Sequence, residues 1–374
     1  MKVYLGSVTA LCLATGASYA GGIERSAQSV GPLFEEGRYV EFSFATVSPD
    51  VSGVGGLVTP GVASGDMTET YQQYGFAYKA DINDTLSYAL IYDQPYGANV
   101  NYPTGTGYFA QGSTAEFDSS ALTAILQYNF PTKLSVYGGL RYQYIDANAF
   151  VPFVTAGVGP FAGAPYEAEA KKDGGAGYLL GVAYERPEIA LRVALTYQSK
   201  IRHRLDTVES SVLGPNISST TDINTPQSLT LDFQSGVAKD TLVFGSVRWV
   251  EWSDFEIAPD SYVGIVGTPL VFYADDRIKY TLGVGRRLTE TWSVAASVNY
   301  ERTTGSPTGN LGPTDGQLGL GLSAVYTRDN MKITGGISYT DIGEANTIVG
   351  AAIPGGVFTD NDAVAVGFKV GFYF

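Results

Sequence analysis

The sequence predicts an all-β protein: a transmembrane, antiparallel up-and-down β-barrel of about 14 strands with a short N-terminal lumenal segment. Three observations carry this. The chain opens on an export leader, its C-terminal residues alternate apolar and small or polar side chains with period two, and the links between such segments alternate short and long.

The leader begins Met1-Lys2, continues as an apolar run from Val3 to Ala17, and ends Ser18-Tyr19-Ala20 before Gly21, so residues 1–20 read as a signal peptide that is cleaved. The run is shorter than the ~20 residues a spanning helix needs. Cys12, the only cysteine, lies inside it, which leaves the exported chain without thiol chemistry. Net charge is −14, one unit more negative once Lys2 is lost, and this excludes nucleic acid as a partner. Gly (46) and Tyr (26) are abundant, which suits strands with aromatic girdles and a close-packed interior.

The last strand is the plainest. Val364, Val366, Phe368, Val370, Phe372 and Phe374 share one face, and Ala365, Gly367, Lys369, Gly371 and Tyr373 the other. A terminal Phe374 on such a strand resembles the signal by which the barrel assembly machinery accepts outer-membrane chains. The same alternation recurs over about 14 segments, near 38–47, 69–80, 85–93, 115–130, 133–147, 174–185, 188–204, 226–238, 241–256, 275–288, 291–303, 316–328, 331–343 and 360–374. Short turns such as Asp81-Ile82-Asn83-Asp84, Pro131-Thr132 and Asp329-Asn330 separate long Gly/Pro/Ser-rich loops near 48–68, 94–114, 148–173, 205–225, 257–274, 304–315 and 344–359. An even strand number with strictly alternating links places both termini on the periplasmic side of a Gram-negative outer membrane.

Four segments resemble the FadL/TodX family of outer-membrane transporters for long-chain fatty acids and hydrocarbons. These are Phe42-Ser43-Phe44 with Val47 to Gly53, Pro95-Tyr96-Gly97-Ala98, Leu195 to Ile201 with its Tyr-x-Ser, and Trp249 to Phe255 with its Trp-Ser-x-Phe. The resemblance covers essentially the whole exported chain and implies a barrel of fourteen strands. It also implies an N-terminal hatch, yet only residues 21–37 precede the first strand; at ~3.4 Å per residue they can enter the lumen as a short hatch-like segment. In that family a break in the third strand opens the wall sideways, and Pro95, Tyr96 and Gly97 are suited to such a kink, since proline removes a ladder donor and glycine permits a bulge.

Strand parity points Arg141, Arg192, Lys279 and Lys369 inward, with Glu41, Asp232 and Glu301. Arg141, Arg192 and Lys279 are candidates to bind a ligand carboxylate, Arg141 foremost, against the plainer alternative of lumenal salt bridges. Glu41 and Lys369 lie on the first and last strands and are expected to pair across the closing seam. Lys200, Arg202 and Arg204, beside His203, form a basic rim suited to lipopolysaccharide phosphates. Aromatic loop residues Tyr96, Tyr102, Tyr108, Phe109, Phe150, Phe153, Phe161 and Tyr166 are expected to form a capture surface. No nucleophile signature surrounds His203, no metal-ligand spacing is present and no cofactor motif is found, so no catalytic residues are assigned.

The functional expectation is a non-enzymatic channel for passive uptake of hydrophobic small molecules, captured by external loops and released through a lateral opening near the third strand. A general aqueous diffusion porin and a barrel that only displays interaction loops remain the alternatives.

Overall fold

A computed structural model gives the fold and describes residues 22–152, 154 and 164–374. The expected leader, Cys12, Phe153 and Phe161 lie outside them. Fourteen antiparallel strands close on themselves: β1 Tyr39–Asp50, β2 Tyr71–Asp81, β3 Leu86–Asp93 continued by Gly97–Asn101, β4 Thr114–Asn129, β5 Leu134–Val151, β6 Tyr166–Arg186, β7 Leu191–Gln198 continued by Ile201–Ser211, β8 Gly214–Thr225 continued by Ser228–Ala238, β9 Thr241–Val250, β10 Arg277–Arg287, β11 Trp292–Glu301, β12 Gln317–Arg328, β13 Met331–Ile342 and β14 Asn361–Tyr373. Closure is made by β1 on β14, in register from Tyr39↔Tyr373 to Asp50↔Asp362. A closed ladder leaves no edge groups facing hydrocarbon, where each would cost several kcal/mol.

Alternation sorts the side chains. Leu122, Leu126, Leu140, Leu180, Leu282, Leu320 and Val366 stand exposed on the outer face, bounded by aromatics such as Tyr142, Tyr144 and Tyr339 toward one rim and Tyr128, Trp292 and Phe374 toward the other. Their neighbours of opposite parity, among them Thr123, Gln127, Thr334 and Ser338, are buried and polar. Short turns use the left-handed conformation at Lys133, Ala190, Asp240 and Asp329, with φ between 50° and 68°.

Two expectations about loops need correction. Residues 205–225 are not a loop: Ile201–Ser211 and Gly214–Thr225 are paired strand turned at Val212-Leu213, and β5 and β6 run likewise to Val151 and from Tyr166. Their outer faces carry Arg202, Arg204, Asp206, Asp222 and Thr220 rather than an apolar band, which is the signal that marked strands elsewhere. Loop 344–359 holds strands Ala345–Val349 and Ile353–Phe358, which pair with each other, the second also pairing with Gly53–Gly55, and a helix, α1 Asp260–Val266, lies in the loop between β9 and β10.

The loop between β11 and β12 is anchored by a buried ion pair, Arg277 Nη1 to Asp315 Oδ1 at 2.5 Å, and the same carboxylate accepts the Thr304 and Gly305 N–H groups. Removing one partner leaves the other charge buried and uncompensated. Asp315→Ala is therefore expected to cost about 3–5 kcal/mol, read as an earlier unfolding midpoint in urea with the barrel in detergent or lipid, whereas Glu290→Ala, on an exposed turn with ordinary backbone, leaves the midpoint unchanged.

Candidate functional site

Residues 22–38 run through the barrel interior before entering β1. Ile23, Glu24, Arg25, Gln28, Val30 and Leu33 are buried, and their partners lie on strands all around the wall. Glu24 Oε1 takes hydrogen bonds from Arg248 Nε (3.0 Å) and Nη2 (2.6 Å) on β9. Ser26 Oγ donates to Asp93 (2.7 Å) on β3, and Gln198 Nε2 on β7 donates to the Gln28 carbonyl (3.0 Å). Pro32 opens a 3-10 turn, Gly31–Phe34, whose Phe34 ring lies under the Arg192 guanidinium, 4.6 Å from it. Glu35 closes the segment against the seam, accepting from Tyr373 OH (2.5 Å) and facing Lys332 Nζ at 3.6 Å.

The wall beside this segment is broken. The β2–β3 ladder ends at Phe76↔Tyr92 and backbone pairing resumes at the Thr68↔Val100 bridge; in between, the Tyr74 N–H donates to the Gln94 side chain (2.8 Å). Across the interval the proline ring removes a donor, and Gln94-Pro95-Tyr96 leave the ladder. The freed groups bond inward instead: Arg25 N–H to Pro95 O (2.8 Å) and Gly97 N–H to Ile23 O (2.8 Å), while Ser119 Oγ bridges the Tyr96 N–H and C=O. β7 is also interrupted, at Ser199-Lys200, but there Ser199 Oγ accepts from Tyr178 N–H (2.9 Å), and Ser199 N–H returns a bond to Tyr178 O. Beyond it the β6–β7 ladder resumes at Thr207↔Ala170, with the Arg204 N–H held by the Asp173 carboxylate (3.0 Å) in between; unlike the β2–β3 interval, this one does not line the larger lumenal cavity.

Tyr96 turns inward and meets Trp252 edge to face at 5.8 Å. With Ile23, Phe117, Phe255, Ile257 and Tyr273 they form an apolar core across the lumen. Above it is an apolar cavity of about 50 Å³ lined by Ala98, Ala115, Ala147, Ala149, Ala168 and Ala170 on neighbouring strands, with Ile23, Phe117, Ile257, Leu270, Val271 and Leu311. No described lining residue there is Lys, Arg or His. A second apolar hollow, also about 50 Å³, lies among the loops between Phe109, Val151, Val154, Tyr262 and Ile348, and Leu270 and Leu311 are shared by both. Below the inner segment a larger cavity of about 210 Å³ is lined by Glu41, Asp93, Arg192, Asp232, Lys332 and Lys369 and by the broken edges, Gln73–Phe76 and Ile91–Gln94.

The candidate cations fall in different places. Arg141 does not line any of these cavities; it is held by Asp93 at 3.0 and 3.2 Å and by Thr123 at 3.1 Å. Arg192 lines the larger cavity and bonds Gln234 at 3.1 Å, and Lys279 lies opposite Glu301 across β10–β11. Lys369 Nζ stands 3.3 Å from Glu41 Oε1 across the seam. Lys200 pairs with Asp254 (3.0 Å), and Arg202 with Asp222 (2.7 Å), which Arg204 also approaches at 3.8 Å.

The expected aromatic capture surface is corrected: Tyr96, Tyr102, Tyr108, Phe109 and Tyr166 are buried and Phe150 alone among the described members is exposed. Rings of that size contribute most when desolvated against one another, and Tyr102 stacks on Tyr108 at 5.7 Å. Burial raises both phenols well above the ordinary tyrosine range, so they stay neutral.

Sequence reasoning missed three things: the hydrogen bonding of Glu24 and Arg25, the alanine lining, and Glu209. Inward parity of small residues on four adjacent strands was a readable signal for the second. Glu209 is fully buried and accepts from Tyr166 OH (2.8 Å), Ser219 Oγ (2.6 Å) and the Ser261 and Tyr262 N–H groups that open α1 (3.0 and 3.3 Å). Its carboxylate thereby ties the loop above the alanine cavity to the wall. Glu209→Ala is expected to speed protease cleavage within residues 256–272 by on the order of tenfold, with the closed barrel still migrating as a folded band on unheated gels.

The model of the family described as outer membrane protein transport protein (OMPP1/FadL/TodX) matches residues 37–310. Among solved structures, a FadL homologue of Pseudomonas aeruginosa superposes with TM-score 0.74 at 16% identity, covering 92% of each chain. The P. putida toluene transporter TodX superposes with TM-score 0.63 at 12% identity, covering 91% of this chain and 90% of its own. For the Ralstonia pickettii toluene transporter TbuX the values are 0.62 and 15%, over 92% and 91%. No curated protein sequence matches.

Proposed function

Because the chain belongs to the OMPP1/FadL/TodX family of outer-membrane transport proteins, we propose that it takes up uncharged hydrophobic molecules passively, through the lumen and sideways out of the wall between β2 and β3. Both termini then face the periplasm and the long loops face outward. The observation that carries this reading is the unpaired interval between Phe76↔Tyr92 and Thr68↔Val100, which adjoins a cavity whose lining runs from lumenal Gln73 and Asp93 to Tyr74 and Phe76 on the bilayer face. A straight aqueous path is blocked by residues 22–38 and the Tyr96–Trp252 core, which act as the hatch.

Ligand class follows from the alanine cavity. An ionised carboxylate moved into an apolar space needs a cation or several donors, and the described lining offers no cation. Toluene-like hydrocarbons need none, and this preference agrees with the toluene transporters TodX and TbuX, on which the fold superposes. At about 50 Å³ the space is smaller than the ~150 Å³ that takes a benzene ring, so entry requires the Leu270 and Leu311 side to give way. Arg192 and Lys279, on this reading, stabilise lumenal carboxylates rather than ligand. At the rim, Lys200, Arg202 and Arg204 are placed to meet lipopolysaccharide phosphates, and Phe374 is the contact offered to the barrel assembly machinery.

Titration of the purified barrel with a neutral fluorescent arene and with a fluorescent long-chain fatty acid tests the class. The arene is expected to bind saturably and at least about tenfold more tightly, and Ala147→Phe or Ala168→Phe, each filling the cavity, to abolish that binding without unfolding. Tighter binding of the fatty acid sinks the neutral-ligand assignment, and large steady ion conductance with no binding of either replaces the transporter by an aqueous pore.

A further inference from the structure

Arg25 does not stay in the lumen. Its backbone does: the N–H bonds Pro95 O, and the carbonyl accepts Gln73 Nε2. Its guanidinium, however, bonds Asp118 Oδ1 (3.3 Å) and Asn99 Oδ1. Parity puts both partners on the outer face. Asp118 alternates with Leu122 and Leu126, which are more than half exposed to the bilayer side, and the β3–β4 register pairs Gly97 with Asp118 and Asn99 with Glu116. The arginine therefore crosses the wall from inside to outside, through the interval where β2 and β3 are unpaired.

The passage is fitted to it. The guanidinium lies 4.3 Å from the ring of Tyr71, the β2 residue that flanks the interval. On the other side Gly97 makes the room: a Cβ there would come within 2.5 Å of the guanidinium nitrogen Nη1. The glycine of Pro95-Tyr96-Gly97 is thus needed for the arginine as well as for the kink. The side chain is 6% exposed although its partner Asp118 is 44% exposed, as expected of a cation filling a hole in the wall.

We propose that Arg25 is the bolt of the lateral exit: its guanidinium, held by Asp118 and Asn99, closes the gap between β2 and β3, and exit requires it to withdraw into the lumen. This rests on the lateral-exit reading above. A fork of donors suits the task, since two outer-face acceptors are engaged at once. The cavity behind it carries Glu41, Asp93 and Asp232, so the withdrawn cation would not be left without a counter-charge. Arg25 is a positioning residue for transport and needs no contact with the ligand.

The test uses uptake of a neutral fluorescent arene into proteoliposomes holding the full exported chain. A Tyr74→Cys/Gln94→Cys pair joined by a short bis-thiol reagent staples the gap; if uptake continues unchanged, the lateral exit itself is wrong. With that reading standing, Arg25→Ala and Asp118→Asn are each expected to raise uptake by about tenfold, and the double variant to add little to either. Asp118→Asn lies on an exposed face and guards against a folding artefact at Arg25. Uptake that the staple stops but that neither variant raises, or that either variant lowers, overturns the bolt.

Discussion

Every backbone N–H and C=O at membrane depth must find a partner within the protein, and this requirement organises the molecule. Thirteen hairpin contacts and one seam meet it by ladder pairing, and the β7 interruption meets it with a serine hydroxyl. In the interval beside Pro95 the Tyr74 N–H is likewise met by a side chain, Gln94, but the kink's own groups are met from inside. The Pro95 carbonyl and the Gly97 N–H are satisfied by Ile23 and Arg25, so the inner segment completes the wall as a short borrowed strand. Wall and plug are one hydrogen-bonded unit at that point, and neither can move without unsatisfying the other.

Charge follows the same logic. Inward Arg, Lys, Asp and Glu are arranged in pairs such as Arg248 with Glu24, Arg141 with Asp93 and Lys369 with Glu41, which makes them costly to leave unmatched. The apolar cavity is the exception by construction: alanines on four strands make a hollow whose described lining holds no cation and a single carboxylate, Glu116. Polar pairing thus holds the fold, and small side chains hold the space.

Legibility in the sequence tracked the solvent each face meets. Where the outer face touches hydrocarbon, as along Val364 to Phe374, period-two alternation gave strand, face and order. Where the strands rise beyond the bilayer, as at residues 205–211, both faces are hydrophilic or mixed and the pattern read as loop. Inward direction of Arg141 and Arg192 was legible from parity, but what each touches depends on which strands lie across the lumen, and no local pattern encodes that. The loop tyrosines were recognised as important and misplaced, since aromatic composition does not say whether rings meet a ligand or one another. Arg25 was invisible because its meaning lies in Gly97 and Asp118, which only the closed barrel brings to it.

Residues 22–38 also set an order of events in biogenesis. They precede β1 directly, touch β2, β3, β7 and β9 from inside, and end at a seam made with β14, the strand synthesised last. A closed cylinder offers no easy way to lace a segment through its interior afterwards. The lumenal filling must be laid against the still-open sheet before β1 meets β14, so zipping of the seam is the step that traps it, and a chain that closes early would be a barrel of correct outline with its thread left outside.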